Sequence, residues 1–180
     1  ERNAGRRSAA KDAGLVGKLR DWLWGEALFQ CKLVAGKDEN NADVAKFRDY
    51  FDYAEPIRKV PSHRALAVFR GRSLEFLDAK LVLDEAGGLG LSAPVARAAA
   101  APAVSLAEGR IALHLGWSHR QRAADDLLRK CIGWAWKVKL SLSLERDLFA
   151  RLREAAEAVA IKVFADNVRD LLLAPPAGRR

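Results

Sequence analysis

From Ser143 on, the apolar residues Leu144, Leu148, Leu152, Val159, Val163 and Leu171 recur at helical spacing, three or four residues apart or sums of these, with Leu172 beside the last. Ser143 is the predicted N-cap, Glu145 and Asp147 suit the positive end of the helix dipole, and Pro175-Pro176 closes the run. Roughly thirty residues at 1.5 Å each give a rod of about 45 Å, longer than a small domain is wide. Such a rod commits its neighbours to packing along it. The fold is therefore predicted to be mainly α, an irregular multi-helix domain with a long C-terminal helix and at most a minor β element. The helix is also expected to brace more than these 180 residues.

Upstream, residues 1–14 are small, polar and basic, and read as a disordered lead-in. Residues 15–84 read as a helical subdomain. Leu15, Leu19, Trp22, Leu23, Leu28, Cys31 and Val34 keep a helical period as far as Gly36, placed where a C-terminal cap belongs, before the polar KDENNAD loop. Trp24 and Phe29 fall off that stripe, as in a helix buried on more than one side. Asp43 is the predicted cap of a short helix, Val44 to Tyr53, ended by Glu55-Pro56 because a residue before proline leaves the α region. Pro61 leads into the next helix, with Ser62 as N-cap, His63 to Phe69 helical and Gly71 as the stop. Phe76 to Leu83 is the best strand candidate.

Residues 85–105, rich in Gly, Ala and Pro, read as a long exposed loop. Residues 106–174 read as a second helical subdomain. It holds Leu106 to Leu115, capped by Ser105 and closed by Gly116, then a helix from Arg120 to Leu140, then the long helix. In the middle one Leu127, Leu128, Cys131, Ile132, Trp134 and Val138 are apolar. Residues 175–180 form a tail toward a following domain.

Catalytic chemistry is not indicated. His63, His114 and His119 are the histidines, and none stands in H-E-x-x-H or another metal spacing; there is no G-x-S-x-G and no G-x-x-x-x-G-K-[ST]. The glycine-rich GGLGLS (87–92) opens no helix that would cradle a phosphate. Asp125-Asp126 and the pair Glu154 and Glu157 read as solvated helix faces, and His114 as a satisfied helical residue. Cys31 and Cys131 read as buried free thiols in a reducing cytoplasm, with no partner spacing for zinc. The expectation is a protein that is not an enzyme and needs neither metal nor cofactor. No run of 18 apolar residues spans a bilayer, and the opening ERNAGRRSAAKDAG lacks the apolar core of a signal peptide, so no membrane contact is expected. Opening on Glu1, lacking Met and closing on APPAGRR, the chain reads as a piece of a larger protein.

The net charge of +8 favours an anionic partner, nucleic acid above all, although Arg2, Arg6, Arg7, Arg179 and Arg180 at the ends contribute five of the positive charges. The densest candidate is Phe47 to Arg72, where Arg58, Lys59, His63, Arg64, Arg70 and Arg72 surround two prolines. One reading makes these six a phosphate-contacting surface, assisted by the N-terminus of the helix that starts near His63 and indifferent to base sequence. The other has Arg64 and Arg70 pair with Asp49, Asp52 or Glu55 and lock a rigid corner. Tyr50, Phe51 and Tyr53 suit either base stacking or a core. Trp22, Trp24, Trp134 and Trp136 are expected in the core, with Lys137 and Lys139 reaching outward.

The same segment carries a resemblance. Its DYFDY-x-EP followed by PSHRALA-x-FRGR resembles the Tex proteins, bacterial transcription accessory factors that bind RNA. KLRDWLWGEALFQCKLVAG (18–36) is similar to the helix preceding that motif, and Trp134 to Gly178 to the segment leading into the family's RNase H-like domain; residues 85–105 carry no part of the likeness. The resemblance implies a helical region of a protein that continues into RNase H-like, helix-hairpin-helix and OB-fold domains. It implies RNA or DNA as partner, with transcription machinery and neighbouring domains as further contacts. A cytoplasmic monomer is expected. It supplies no catalytic residues. Two functions stay open: a helical scaffold with a nucleic-acid-contacting surface, or a purely structural scaffold that positions the RNase H-like and OB-fold domains.

Overall fold

The computed structural model describes residues 12–83 and 106–175 apart from 119, 121 and 123, together with 178. The lead-in before residue 12, the 85–105 stretch with GGLGLS, the Ser105 cap, His119 and Pro176 lie outside the described residues. In chain order the elements are α1 (Ala13–Glu26), β1 (Leu28–Leu33), α2 (Ala42–Ala45), a 3₁₀ turn (Arg48–Tyr50), β2 (Asp52–Pro56), a second 3₁₀ turn (Ile57–Lys59), α3 (Ser62–Ser73), β3 (Leu77–Val82), α4 (Leu106–His114), α5 (Asp125–Ala135), a π-helical turn (Trp136–Leu140) and α6 (Ser141–Leu173). The architecture is mainly α with a small antiparallel sheet and a long C-terminal helix, as the sequence predicts. The chain divides into two compact units, Glu1–Leu28 with Leu81–Leu148, and Phe29–Lys80 with Phe149–Arg180.

The first unit is helical. Leu15, Leu19 and Leu23 bury one face of α1, Ala107 and Ile111 bury α4, and Leu144 and Leu148 bury the opening turns of α6. Asp12 caps α1 by accepting from the backbone N–H groups of Gly14 (2.9 Å) and Leu15 (3.1 Å). His114 Nε2 lies 3.0 Å from the other Asp12 oxygen, which together with the cap holds this carboxyl below its usual range. His114 is thus a satisfied helical residue, as expected. Arg20 and Asp147 close an ion pair at 2.7 Å, and the Arg110 guanidinium lies 4.4 Å from the Trp22 ring centre.

Four expectations in this unit need correction. Asp125 is not on a solvated face: it is fully buried, and accepts from the backbone N–H groups of Arg120 (2.7 Å) and Arg122 (3.0 Å), the Trp117 indole (3.2 Å) and the Arg122 guanidinium (3.2 Å). These donors, the Arg122 N–H first, keep its carboxyl ionised far below the usual range. The helix predicted from Arg120 to Leu140 starts only at Asp125, because the preceding loop folds onto that carboxylate. Ser143 does not cap the long helix. The π turn carries α5 straight into α6, with the Ser141 N–H reaching the Trp136 carbonyl five residues back and its hydroxyl donating to the Lys137 carbonyl (3.1 Å). Trp134, expected in the core, is exposed, as are Leu127 and Leu128.

In the second unit the strands are ordered β2-β1-β3. Both outer strands run antiparallel to β1, so the chain must cross from one edge of the sheet to the other, and α3 is that crossover. Phe29 and Cys31 on β1, with Leu77 and Ala79 on β3, form the buried face. The strand at 77–82 matches the predicted one; its partner is β1, from a segment read as helix. The sequence LFQCKLV satisfies both periods: Leu28, Cys31 and Val34 at three-residue steps, Phe29, Cys31 and Leu33 at two. The chain leaves α1 at Ala27, an extended residue with none of the usual stop signals. The helix predicted from Val44 to Tyr53 is likewise replaced by α2, capped by the Asn41 side chain, a 3₁₀ turn and β2, whose approach is fixed by the Leu33 N–H donating to the Phe51 carbonyl (3.3 Å).

Three rings hold α3 against this sheet. Phe29 (β1), Phe69 (α3) and Phe149 (α6) have centroids 5.8, 5.5 and 5.9 Å apart, two of the three pairs edge-on. Gly71 does not stop α3 but lies inside it, buried: a Cβ there would sit 2.5 Å from Leu77 Cδ1 and 3.1 Å from Phe47 Cδ1. Glycine is used for close approach of helix to sheet, not for a turn. Ser62 is the first helical residue rather than the cap, a position that Pro61 takes without any side-chain hydrogen bond. Two expectations follow. Gly71→Val should lower unfolding free energy by about 1–3 kcal/mol in a urea titration, whereas Gly17→Ala, in an α1 position with nothing within 4 Å, should raise it by about 0.5–1 kcal/mol.

Burial, helped by the Asp78 carboxylate, pushes the Cys31 thiol up from 9.0 to about 12. The unfolded chain can release this proton from about pH 9 while the folded chain holds it, so stability is full below pH 9 and falls as pH rises through the window up to about 12. The Tyr53 hydroxyl, raised by burial and by its bond to Glu55, pulls in the same direction. Thermal melts from pH 8 to 11 should show a declining midpoint, with a shallower decline in Cys31→Val.

Candidate nucleic-acid interface

All six predicted basic residues belong to the second unit and all are exposed, yet the structure does not treat them alike. Arg58 and Lys59 ride on the 3₁₀ turn, anchored by buried Ile57 between the extended residues Pro56 and Val60. His63 and Arg64 occupy the first turn of α3, and Arg70 and Arg72 its last. Seven residues make two turns, so His63 and Arg70 share one face with Leu66, Ala67 and Leu74, about 10 Å apart along the axis. Arg64 and Arg72 point elsewhere.

The pairing pattern divides them further. Arg64 Nη1 donates to Glu55 Oε1 at 3.4 Å, and its guanidinium lies 5.8 Å from the Tyr53 ring centre. The Tyr53 hydroxyl donates to the other Glu55 oxygen, and the ring stacks edge-on with Tyr50 at 5.8 Å. Arg64 is held charged, its pKa raised by its contact with Tyr53 and by Glu55. This is the locked corner of the structural reading, made by Glu55 rather than by Asp49 or Asp52. Arg72 covers Phe149 at 5.1 Å, as Arg153 covers Phe69 at 4.8 Å, so both cap the ring triad. Arg58, Lys59, His63 and Arg70, by contrast, have no side-chain hydrogen bond, ion pair or ring contact among the described residues.

Arg70 also borders a hollow of ≈ 610 Å³ whose other lining includes Lys46 and Phe76. The sequence reading did not single out Lys46, or Lys37, whose ammonium lies 5.6 Å from the Phe76 ring centre; both sit in loop or short-helix sequence with no periodic signal to connect them to α3. Among the described residues no cluster of three or more His, Cys, Asp or Glu side chains is placed to hold a metal, and no helix is long and apolar enough to cross a membrane.

A family model described as Tex central region-like matches residues 6–164. The chain belongs to the Tex central region-like family. The match contains all the elements from α1 to α5 and most of α6, including the whole basic corner. Protein YhgF of Escherichia coli is 43% identical over 171 residues, which is 95% of this chain and 20% of that protein. Transcriptional accessory protein Tex of Neisseria gonorrhoeae is 39% identical over 170 residues, 94% of this chain and 20% of that one. S1 RNA-binding domain-containing protein 1 of Pongo abelii is 27% identical over 177 residues, 95% of this chain and 16% of that one. The chain therefore spans about a fifth of the length of such relatives. Within this Tex central region, Arg64→Ala should lower the thermal midpoint by removing the brace across the corner. Arg58→Ala and Arg70→Ala, which remove no side-chain hydrogen bond or ion pair among the described residues, should leave it within about 2 °C.

Proposed function

We propose that this Tex central region is a helical scaffold that also touches single-stranded nucleic acid, through phosphates at Arg58, Lys59 and Arg70 with His63 beside them. The observation behind this is the division of the basic cluster: the side chains of four members have no partner among the described residues, while Arg64 and Arg72 are engaged by Glu55, Tyr53 and Phe149. Cations left unpaired on a surface are cheap to bring to phosphate, since no internal bond must break first. The relatives' names give the setting: one is a transcriptional accessory protein and another contains an S1 RNA-binding domain. In that setting the contact would be sequence-independent and would add to binding elsewhere in the longer protein.

A second reading, a scaffold with no nucleic-acid contact of its own, draws on the Glu55–Tyr53–Arg64 corner, which fits a rigid joint between helices. Fluorescence anisotropy with single-stranded RNA across a salt series separates the two. Three phosphate contacts on a single strand give a slope of log K against log salt of about −2, and each of Arg58→Ala, Lys59→Ala and Arg70→Ala should reduce its magnitude by about 0.7 for every sequence alike. Arg72→Ala should leave the slope unchanged. Binding no stronger than that of a charge-matched control protein would favour the scaffold alone.

A further inference from the structure

Resting on that reading, we propose that the hollow beside Arg70 receives one unstacked base of a bound strand, with the adjoining phosphate on the Arg70 guanidinium. Its lining is largely apolar: Leu66, Ala67 and Leu74 from α3, buried Phe47, and half-buried Phe76. Its volume, ≈ 610 Å³, lies in the range of small-ligand sites. The rest of its lining is polar, with two cations and one anion. It consists of Asp43, Lys46 and Arg70: Lys46 and Asp43 pair at 2.7 Å, offering a donor and an acceptor side by side, and the Arg70 side chain has no partner among the described residues.

Charge complementarity selects the occupant. A flat apolar group would cover the apolar lining, a mixed donor–acceptor edge would meet Asp43 and Lys46, and an anion attached to that group would meet Arg70. A nucleotide joins these three parts in one unit, base, base edge and phosphate. The hollow lies on the α3 face that also carries His63, so a strand continuing from Arg70 toward the helix N-terminus stays on unpaired basic residues. An acidic peptide bearing a leucine or aromatic side chain is the competing occupant, but it needs no donor–acceptor pair in the lining.

The test is fluorescence anisotropy of the 180-residue chain at fixed low salt with a labelled oligoadenylate and an abasic strand of equal length. The base-bearing strand should bind about five-fold or more tightly, the effect of stacking a single base. Leu74→Ser should remove that advantage and leave the abasic strand's affinity unchanged; Leu74 is 47% exposed, so the fold does not depend on it. Equal affinity of both strands, with salt dependence retained, would overturn the base pocket while leaving the phosphate contacts standing. Failure of both strands to bind would overturn the reading beneath it. An acidic, leucine-bearing peptide that binds wild type and not Leu74→Ser, while the two strands bind alike, would overturn it in favour of a protein partner.

Discussion

The contact of Phe29, Phe69 and Phe149 is the constraint on which the second unit depends. It joins a strand, the crossover helix and the long helix at a single point, with ring centres within 6 Å of one another. Aromatic pairs in such tilted and edge-on arrangements add to the burial of their own area. They also fix rotation, because a ring that leaves its edge-to-face partner loses both. Gly71 serves the same end two residues along α3, where any side chain would push the helix off Leu77 and Phe47. Helix α3 is thereby held at one rotation on the sheet, and the direction of every side chain on it follows.

That fixed rotation divides the charges. Arg72 is turned toward the aromatic cluster, where its guanidinium covers Phe149, and Arg64 toward the Glu55–Tyr53 pair at the corner. His63 and Arg70 are turned the other way, onto the face that borders the apolar hollow. The two readings open from sequence are therefore not exclusive. Arg64 braces the corner and Arg72 covers Phe149, while Arg58, Lys59, His63 and Arg70 have no side-chain partner among the described residues. Pro56 and Pro61 matter because they set the bends on each side of Ile57–Lys59, which present Arg58 and Lys59 beside the helix start.

Much of the helical frame was legible from periodicity and breakers. Gly116 closes α4 with a positive φ of 64°, the 77–82 strand stands where the residues put it, and so does the long helix apart from its start. What escaped was hidden by coincidence of periods or by tertiary partners. LFQCKLV reads equally as helix or strand, and only pairing with β2 and β3 decides it. Asp125 looks like half of a solvated acidic pair until the loop before it supplies four donors. The π turn leaves no mark in the sequence, yet it runs α5 into α6 where the residues read as a break and an N-cap. In the basic segment the residue types were legible and their division was not, since it depends on which acid or ring each guanidinium meets.

The claim that the fold separates bracing cations from binding cations is tested most directly by observing the arginine side chains themselves. In ¹H–¹⁵N spectra of the guanidinium Nε–Hε groups, single-stranded RNA added at low salt should shift the Arg58 and Arg70 resonances. Those of Arg64 and Arg72, already engaged, should stay in place. Shifts concentrated at Arg64 and Arg72, or no shift at any of the four, would contradict the account.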